Sequence, residues 1–352
     1  MLQTSSIESS QADLDEFYRT LETKELSPLW TAPDVGASHS PKSRAVPHRW
    51  RWADIRPLAL RASELVGTKQ AERRVLRLLN PAIKGRSATT NTLFAGIQIV
   101  MPGEVARAHR HTPSALRLVI EGEGGYTNVN GEPLAMLPGD LVLTPNWTWH
   151  DHANTTGKPM IWLDGLDLPL VNLLESAVFE EYHAESQPLS EAQGLSLVKH
   201  GAGALQPAWE RPTARHSPLM HYPWPQAKAA LDGVSGMTAG SPFDGVILEY
   251  TNPSTGGPCM PTMACFIQLL RPGERTRSHR HNSGAVYHAV QGRGVTEVDG
   301  QDLEWGDKDV FCVPGWATHA HRNLSATEPA YLFSFTDQPV LRALDLYREE
   351  EQ

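Results

Sequence analysis

The sequence predicts an all-β dominated protein built from two copies of one double-stranded β-helix (jelly-roll) barrel, with an N-terminal helical arm and a short C-terminal helix. From Thr92 onward, apolar runs of strand length such as FAGIQIV, LRLVI and LVLTP are separated by turn signals such as PGE, EGEGG and PGD. Several short strands with turns between them are typical of a sandwich or barrel. An internal repeat indicates that the chain holds two such barrels.

The repeat is visible as a fixed shift along the chain. Residues 92–111 align with residues 262–281 at a shift of 170, with 10 of the 20 positions identical. Residues 144–154 align with residues 313–323 at a shift of 169 and share a Pro, a Trp, two His and an Asn. Because unrelated segments do not reach this identity, the chain contains the same structural unit twice.

The N-terminal region, residues 1–90, is expected to form a helix and an extended arm. Apolar residues recur at helical spacing at Leu14, Phe17, Tyr18 and Leu21. Ser10 is a suitable N-cap, and Pro28 closes the segment. Residues 38–52 are rich in Ser, Pro, Arg and Trp without a sustained period, which predicts an arm that packs onto another part of the protein.

The remaining boundaries follow from composition and from the repeat. The first barrel is assigned to residues 91–180 as the catalytic one, a Pro- and Ser-rich linker to 181–245, the second barrel to 246–338, and a C-terminal helix to 339–352. In the second copy GDKDVFCVP is two residues longer than GDLVLTP, which predicts a bulge or a longer turn.

Composition excludes several classes of partner. Lys plus Arg number 31 against 40 Asp plus Glu, so the net charge of -9 argues against binding to nucleic acid or to an anionic membrane. The ligand is therefore expected to be a small molecule. Three cysteines without regular spacing, a polar acidic N-terminus and the lack of a long apolar run predict a cytoplasmic protein without a membrane segment.

A histidine pattern in the first barrel predicts a metal site. His109 and His111 are two residues apart, so on a strand both imidazoles project from the same face. His150 follows in a segment opened by the turn signal PGD. Three imidazoles that converge in a barrel can bind one transition-metal ion.

These residues resemble the motifs of the cupin superfamily. The first motif, G-x5-H-x-H-x3-E-x6-G, is matched from Gly103 to Gly122 with Ala115 in place of the Glu ligand. The second, G-x5-P-x-G-x2-H-x3-N, is matched from Gly139 to Asn154 with Trp147 in place of the second Gly. Without the carboxylate, three neutral imidazoles leave the full charge of a divalent ion and three open coordination positions, which suits an anionic chelating substrate together with O2.

Within the cupins, the chain resembles the gentisate 1,2-dioxygenase family, which includes salicylate, nitrosalicylate and 1-hydroxy-2-naphthoate dioxygenases. The resemblance rests on segments spread over nearly the whole chain, among them ELSPLW, VPHRWRW, ERRVLRLLNP, WLDGLDLP and NPSTGGPCMPT. It implies an Fe(II) enzyme, commonly a homotetramer, that opens an aromatic ring between its carboxyl-bearing and hydroxylated carbons. Cleavage of gentisate at this bond would give maleylpyruvate.

The same resemblance implies the residues that surround the substrate. Arg117 lies on the face of the metal ligands if its strand is regular, and is expected to bind the carboxylate and assist catalysis. His152 is expected to hydrogen-bond the substrate or oxygen, with a structural role as the alternative. Further substrate-binding positions are Arg73, Gln98, Phe94 and Asp164. Gln98 recurs as Gln268, which favours a structural role equally, and Phe94 replaces a Trp common among relatives.

The second copy retains a histidine triad, namely His279, His281 and His319. Ala285 again stands where a Glu ligand is usual, and Tyr287 replaces the Arg found at 117. Coordination chemistry permits a second metal ion there. A structural or accessory role is favoured for this barrel because the carboxylate clamp is missing.

The preferred interpretation is thus an enzyme that opens gentisate, with Fe(II), O2 and a small aromatic acid as its partners. The same chemistry on salicylate, 5-nitrosalicylate or 1-hydroxy-2-naphthoate is the first alternative. A non-catalytic bicupin that binds or stores a ligand is the second. A third, an isomerase or other metal cupin, usually carries the Glu ligand that Ala115 replaces.

Overall fold

The computed structural model of the protein describes residues 10–32, 38–71, 73–203, 205–210 and 212–351. The chain divides into two compact units, Met1–Lys42 and Ser43–Gln352. The first unit contains helix α1 (Gln11–Glu22) and a 3-10 turn at Leu29–Thr31. Ser10 caps α1 as predicted, because its hydroxyl accepts the N–H of Asp13 while the Asp13 carboxylate accepts the N–H of Ser10.

The second unit begins with elements that precede the first barrel. They are β1 (His48–Trp50), α2 (Trp52–Leu65), α3 (Thr68–Ala71) and β2 (Arg74–Arg77). Helix α2 buries Trp52, Ile55 and Ala59, which lie on one helical face. The region expected to be an extended arm therefore also contains a helix of 14 residues.

The first barrel is an antiparallel jelly roll. Its strands are β3 (Phe94–Val100), β4 (Val105–His111), β5 (Ala115–Glu121), β6 (Gly125–Val129), β7 (Glu132–Met136), β8 (Leu141–Thr144), β9 (His150–Ala153) and β10 (Met160–Leu166). A short helix and an edge strand follow, α4 (Leu168–Leu173) and β11 (Phe179–Glu181).

The segment between the barrels carries α5 (Leu195–His200), β12 (His221–Tyr222), α6 (Trp224–Ser235) and β13 (Val246–Glu249). The second barrel then consists of β14 (Ala264–Leu270), β15 (His279–His281), β16 (Ala285–Gln291), β17 (Gly294–Val298), β18 (Gln301–Trp305), β19 (Val310–Val313), β20 (His319–Asn323) and β21 (Ala330–Thr336). The chain ends with α7 (Gln338–Ala343) and β22 (Glu349–Glu351).

Each barrel pairs a six-stranded sheet with a five-stranded one. In the first barrel the strand orders are β12-β8-β5-β10-β3-β2 and β11-β4-β9-β6-β7. In the second they are β1-β19-β16-β21-β14-β13 and β18-β17-β20-β15-β22. The barrels therefore exchange edge strands, because β1 precedes the first barrel but pairs with β19, while β12 precedes the second but pairs with β8.

The exchange is anchored by matching hydrogen bonds. The backbone N–H of Trp52, at the start of α2, donates to the Asp309 carboxylate at 2.8 Å. The N–H of Trp224, at the start of α6, donates to Asp140 at the same distance. The structural repeat thus extends beyond the two barrels and includes the strand and helix that precede each of them.

Residues alternate between two environments along the strands of the six-stranded sheets. On β3, Ala95, Ile97 and Ile99 belong to an apolar cluster that also contains Cys265, Ile267 and Leu269 of β14. The intervening Phe94 and Gln98 line a cavity inside the first barrel. Because both faces of these strands are covered, FAGIQIV is buried along its whole length.

The end of the chain differs from the helix expected over residues 339–352. Helix α7 ends at Ala343, and β22 pairs with β15 in the way that β11 pairs with β4. The backbone groups of the outer strand β15 are thereby satisfied by the last residues. The C-terminal segment therefore repeats the arrangement that follows the first barrel, with α7 and β22 in the places of α4 and β11.

The predicted bulge before β19 is also wrong. Lys308 adopts the left-handed backbone of Gly139, with φ of 67° and 88° respectively. The N–H of Lys308 donates to the carbonyl of Ala289 on β16, and the N–H of Gly139 donates to that of Val119 on β5. The turn therefore has the same length in both copies. The sequence suggested an insertion because GD occurs in both segments, but the structural equivalent of Gly139 is Lys308, not Gly306.

Candidate metal and substrate site

Three buried histidines meet inside the first barrel. His109 and His111 project from β4, and His150 on β9 lies directly opposite His109. Their ring centroids are separated by 4.2 Å, 4.8 Å and 5.5 Å. One nitrogen from each ring lies within 4.8 Å of the others, so a single ion could contact all three.

Backbone carbonyls fix the orientation of these rings. The Nδ1 atoms of His109, His111 and His150 lie 2.7 Å, 2.7 Å and 2.9 Å from the carbonyl oxygens of residues 107, 113 and 148. A carbonyl can only accept, so each Nδ1 carries the proton and each Nε2 presents a lone pair. His150 Nε2 is buried without a protein partner, as a ligand atom would be.

Burial keeps the triad neutral. It lowers the pKa of His109 to about 2 and that of His111 to about 4, and it holds the pKa of His150 well below its usual range. Ala115, which faces the same cavity as His111, offers no carboxylate. Among the described residues no carboxylate is grouped with these three neutral nitrogen donors, which therefore fit a divalent transition-metal ion that receives its anionic ligand from a substrate.

A cavity of about 330 Å³ opens beside the triad. Its walls are formed by Ala71, Arg73, Val75, Arg77, Ser87, Phe94, Gln98, His111, Ala115, Arg117, Asp164, Leu166 and Leu168. A second, mostly apolar pocket of about 260 Å³ shares Arg73, His111, Leu166 and Leu168 with it. Predicted substrate residues from four separate chain segments are thus brought to one cavity next to a candidate metal ligand.

Arg117 is the buried cation of this cavity. Its Nη1 donates to Thr144 Oγ1 at 2.7 Å, and its Nε lies 3.4 Å from Asp164 Oδ1. Trp162 Nε1 also donates to Asp164 at 2.9 Å. Burial raises the pKa of Asp164 to about 6 against the opposing charge of Arg117, and lowers the pKa of Arg117 to about 10. The guanidinium therefore stays charged at neutral pH.

Arg73 contacts the triad itself. Its Nη1 lies 2.7 Å from His109 Nε2, and its guanidinium carbon lies 5.2 Å from the ring centroid of Phe179. Phe179 in turn stacks on His109, with ring centroids 5.2 Å apart at an angle of 20°. Sequence reasoning missed Phe179, because a lone Phe on a short edge strand carries no motif. The pairing of β11 with β4 brings it to the site.

Two further predicted residues, Gln98 and His152, have buried atoms without a protein partner. These are Gln98 Nε2, in the cavity wall, and His152 Nε2, inside the barrel. His152 lies 5.9 Å from His150 between ring centroids, and its Nδ1 contacts Thr127 Oγ1 at 2.8 Å. In contrast, Gln268 Nε2 donates to the carbonyl of residue 244 at 2.6 Å. The two glutamines that the repeat equates therefore have different surroundings.

The second barrel holds a similar triad. The ring centroids of His279, His281 and His319 are 4.3 Å, 5.0 Å and 5.5 Å apart, and their candidate ligand atoms lie within 4.8 Å of one another. His281 and His319 are oriented by backbone carbonyls at 3.0 Å, whereas His279 Nδ1 is buried without a partner. Tyr287, at the position of Arg117, stacks on Phe311 with ring centroids 4.9 Å apart.

Fold and site together define a protein of two cupin barrels, each with a histidine triad that could hold a metal ion. The cupin domain family matches residues 96–166 and 266–336. None of the helices in the described ranges combines the length and the apolar character needed to cross a bilayer.

The chain belongs to the gentisate 1,2-dioxygenase family. It is 42% identical to a 5-aminosalicylate 1,2-dioxygenase of Comamonas sp, over 97% of this chain and 91% of that protein. It is 40% identical to a gentisate 1,2-dioxygenase of Aquipseudomonas alcaligenes, over 95% of each. The crystal structure of a salicylate 1,2-dioxygenase from Pseudoaminobacter salicylatoxidans in an adduct with gentisate is similar, with a TM-score of 0.91 and 33% identity over 100% of this chain and 97% of that one.

Among the functions considered from the sequence, these relatives support the dioxygenase. The chain is an oxidoreductase of this ring-cleaving family rather than a storage bicupin.

Proposed function

We propose that the protein is an Fe(II)-dependent dioxygenase that opens gentisate between the carboxyl-bearing C1 and the hydroxylated C2 to give maleylpyruvate. One observation carries the proposal: in the part of the chain that the structure describes, a triad of neutral histidines adjoins a cavity with a buried Arg117, and Ala115 stands in place of the carboxylate ligand. A 2-hydroxybenzoate supplies the anion that such a triad lacks. The substrate carboxylate is also opposite in charge to the Arg117 guanidinium and has a shape that allows two parallel hydrogen bonds to it.

His109, His111 and His150 would hold the ion through their Nε2 atoms, which the carbonyl contacts at Nδ1 leave available. When bound, the ferrous ion supplies Lewis acidity and couples electron flow from the ring to O2. The protein's contribution is to bind both reactants in a fixed orientation within a buried site.

The substrate carboxylate is bound by arginine. Arg117 is held by Thr144 and Asp164, so its fork is oriented before substrate arrives. Arg73 lies against His109 Nε2. With an ion held at that nitrogen, the like charge would repel the guanidinium, and the substrate anion would attract it.

Proton handling is assigned to His152. Thr127 Oγ1 contacts both Met136 Sδ, which only accepts, and His152 Nδ1. The hydroxyl therefore donates to sulfur and accepts from Nδ1–H, which leaves Nε2 as a proton acceptor. We propose that this atom takes the phenolic proton, and that the unpaired amide of Gln98 donates to the substrate.

A second candidate substrate is 5-aminosalicylate, because the relative that acts on it is as similar to this chain as the gentisate enzyme is. Both compounds carry an electron-donating group para to the 2-hydroxyl. The substituent at C5 would be recognised by the far wall of the cavity, to which Phe94 contributes.

The test is O2 uptake by protein loaded with Fe(II), measured with gentisate, 5-aminosalicylate, salicylate, 5-nitrosalicylate and 1-hydroxy-2-naphthoate. We expect the highest kcat/KM for gentisate, together with a ring-opened chromophore. A higher value for 5-aminosalicylate would favour the second candidate. Failure to turn over any of these acids would refute both.

Two further properties are proposed. Family members are commonly homotetramers, and we expect the same here, with a tetramer mass in light scattering as the test. All three cysteines are buried free thiols, which supports a reducing cytoplasm as the compartment.

A further inference from the structure

The triad of the second barrel has the spacing of a metal site but a different set of neighbours. Its ring centroid distances match those of the first triad to within a few tenths of an ångström. His319 Nε2 is fully buried and has no protein partner. An unpaired buried nitrogen is costly. A cation shared by the three rings would remove that cost.

Among the described residues, the charged groups beside the two triads differ in sign. The segment that precedes β2 in the first barrel places Arg73 at 2.7 Å from His109 Nε2. The corresponding segment before β13 places Asp244 Oδ1 at 3.9 Å from His279 Nε2. The positive charge beside the first triad lowers its affinity for a metal cation, whereas the negative charge beside the second triad raises it.

Asp244 is held where it can serve this role. Its side chain accepts a hydrogen bond from Ser241 Oγ at 2.9 Å, and its carbonyl accepts one from Gln268 Nε2 at 2.6 Å. The neighbouring Pro242 carbonyl accepts the N–H of Arg277 at 2.7 Å. The loop that carries the carboxylate is therefore fixed against the barrel on both sides of residue 243.

The groups that receive a substrate in the first barrel are replaced in the second. Ala264, Tyr287 and Ser334 occupy the positions of Phe94, Arg117 and Asp164, so neither the arginine clamp nor its buried partner is present. Tyr287 packs in the apolar core of this barrel. Phe243 covers His279, with ring centroids 5.4 Å apart.

We infer that the second barrel binds a divalent transition-metal ion such as Zn²⁺ through His279, His281, His319 and Asp244, in a closed site that takes no aromatic acid. The ligand atoms of the three imidazoles lie within 4.8 Å of one another, and a turn of the Asp244 side chain from its place beside His279 would complete the tetrahedral set that is typical of structural metal sites. The ion joins the loop of residues 240–245 to the barrel. This inference does not depend on which acid the first barrel cleaves.

Metal content provides the first test. Mass-spectrometric metal analysis of the purified full-length protein should give two ions per chain, and one in each of His150→Ala and His319→Ala. A wild-type value of one ion that is lost in His150→Ala and kept in His319→Ala would overturn the inference. Since this readout needs no turnover, it is separate from the test of the proposed function.

The role of Asp244 is tested with Co²⁺ as the probe in full-length His150→Ala protein, where only the second site is intact. Asp244→Asn should weaken Co²⁺ binding by about tenfold or more, because even outer partners of metal ligands contribute 10- to 100-fold. It should also alter the visible spectrum. The control Glu249→Gln removes the same charge from an exposed position on β13 and should change neither. Wild-type affinity and spectrum in Asp244→Asn would show that this carboxylate is not a ligand.

Closure is tested in the same protein. Added gentisate should leave the spectrum of bound Co²⁺ unchanged, and a spectral shift would show an open site. Bound Co²⁺ should also raise the Tm of His150→Ala protein but not of the double variant with His319→Ala. An equal rise in both would contradict binding by the triad, and this measurement remains informative if Asp244→Asn does not fold.

Discussion

The two barrels hold the same three imidazoles, yet the described charged group that lies against a triad histidine is a cation in the first barrel and an anion in the second. In the first barrel Arg73 and Arg117 lie beside the triad and its cavity, and Asp164 balances one of them. In the second barrel Asp244 lies beside His279, and Tyr287 and Ser334 stand where Arg117 and Asp164 would be. A duplicated donor set therefore does not imply a duplicated activity.

The scaffold around the two triads has remained symmetric. Thr262 donates to Asp167 at 2.6 Å across the barrels, and Thr92 donates to Asp337 at the same distance. The exchanged strands and their Trp N–H contacts are also reciprocal. The differences that bear on ligand binding therefore lie in the residues that surround the triads, where single changes of charge decide what can bind.

The largest expected effect comes from removing one ligand in each barrel. His150→Ala should lower kcat by more than about 100-fold. Loss of a residue that only hydrogen-bonds a metal ligand already lowers activity by about 10- to 100-fold, and loss of the ligand itself should cost more. His319→Ala, the matched change in the second barrel, should leave kcat within about threefold. Both effects are measured by O2 uptake, with circular dichroism as the folding control. Equal loss of kcat in the two variants would show that the two triads do not differ in their role in catalysis.

Next in size is removal of the buried cation. Arg117→Met leaves the buried Asp164 without its cationic partner and removes the carboxylate clamp, so kcat/KM should fall by about 30-fold, equivalent to about 2 kcal/mol. Arg280→Met, on a partly exposed arginine of the second barrel paired with Glu350, serves as the control. If Arg117→Met retains wild-type KM for gentisate, then the arginine does not bind the carboxylate.

A pH profile tests the partner of that cation. Burial raises the pKa of Asp164 to about 6, so below that pH the carboxyl is neutral and no longer orients Arg117. We expect kcat/KM at pH 5 to be about tenfold below its value at pH 7, with the acid limb near pH 6. In Asp164→Asn this limb should disappear. An unchanged limb in the variant would assign it to another group.

The smallest effects separate the two glutamines. Gln98→Leu should lower kcat/KM by about fivefold, the value of one neutral hydrogen bond of about 1 kcal/mol, and leave the free energy of unfolding unchanged. Gln268→Leu should do the reverse, since its amide bonds the backbone at residue 244. Kinetics and urea unfolding of both variants check this. The same response in both would mean that Gln98 is also structural.

Much of the fold could be predicted from local pattern. The repeat, the turn signals and the strand-length apolar runs were enough for two jelly rolls, and Ser10 identified the start of α1. Helix α2 was missed although Trp52, Ile55 and Ala59 follow a helical period, because the Pro, Arg and Trp residues around it suggested an arm. The exchange of β1 and β12 leaves no local signal, since strand pairing depends on partners far away in the chain.

What the sequence by itself determined is the identity of the donors: a His-x-His strand pair and a distant His, present twice, with no Glu in either first motif. Alternate residues of a strand lie on the same face, so the spacing of each His-x-His pair is enough to predict that its two imidazoles point to the same side. Only the tertiary structure decided which charge stands beside each triad. Arg73 and Asp244 lie outside the barrels and reach the histidines through the pairing of β2 and β13 with the barrel sheets. Electrostatic interactions depend on distance in space, and that distance is set by packing between segments remote in the chain.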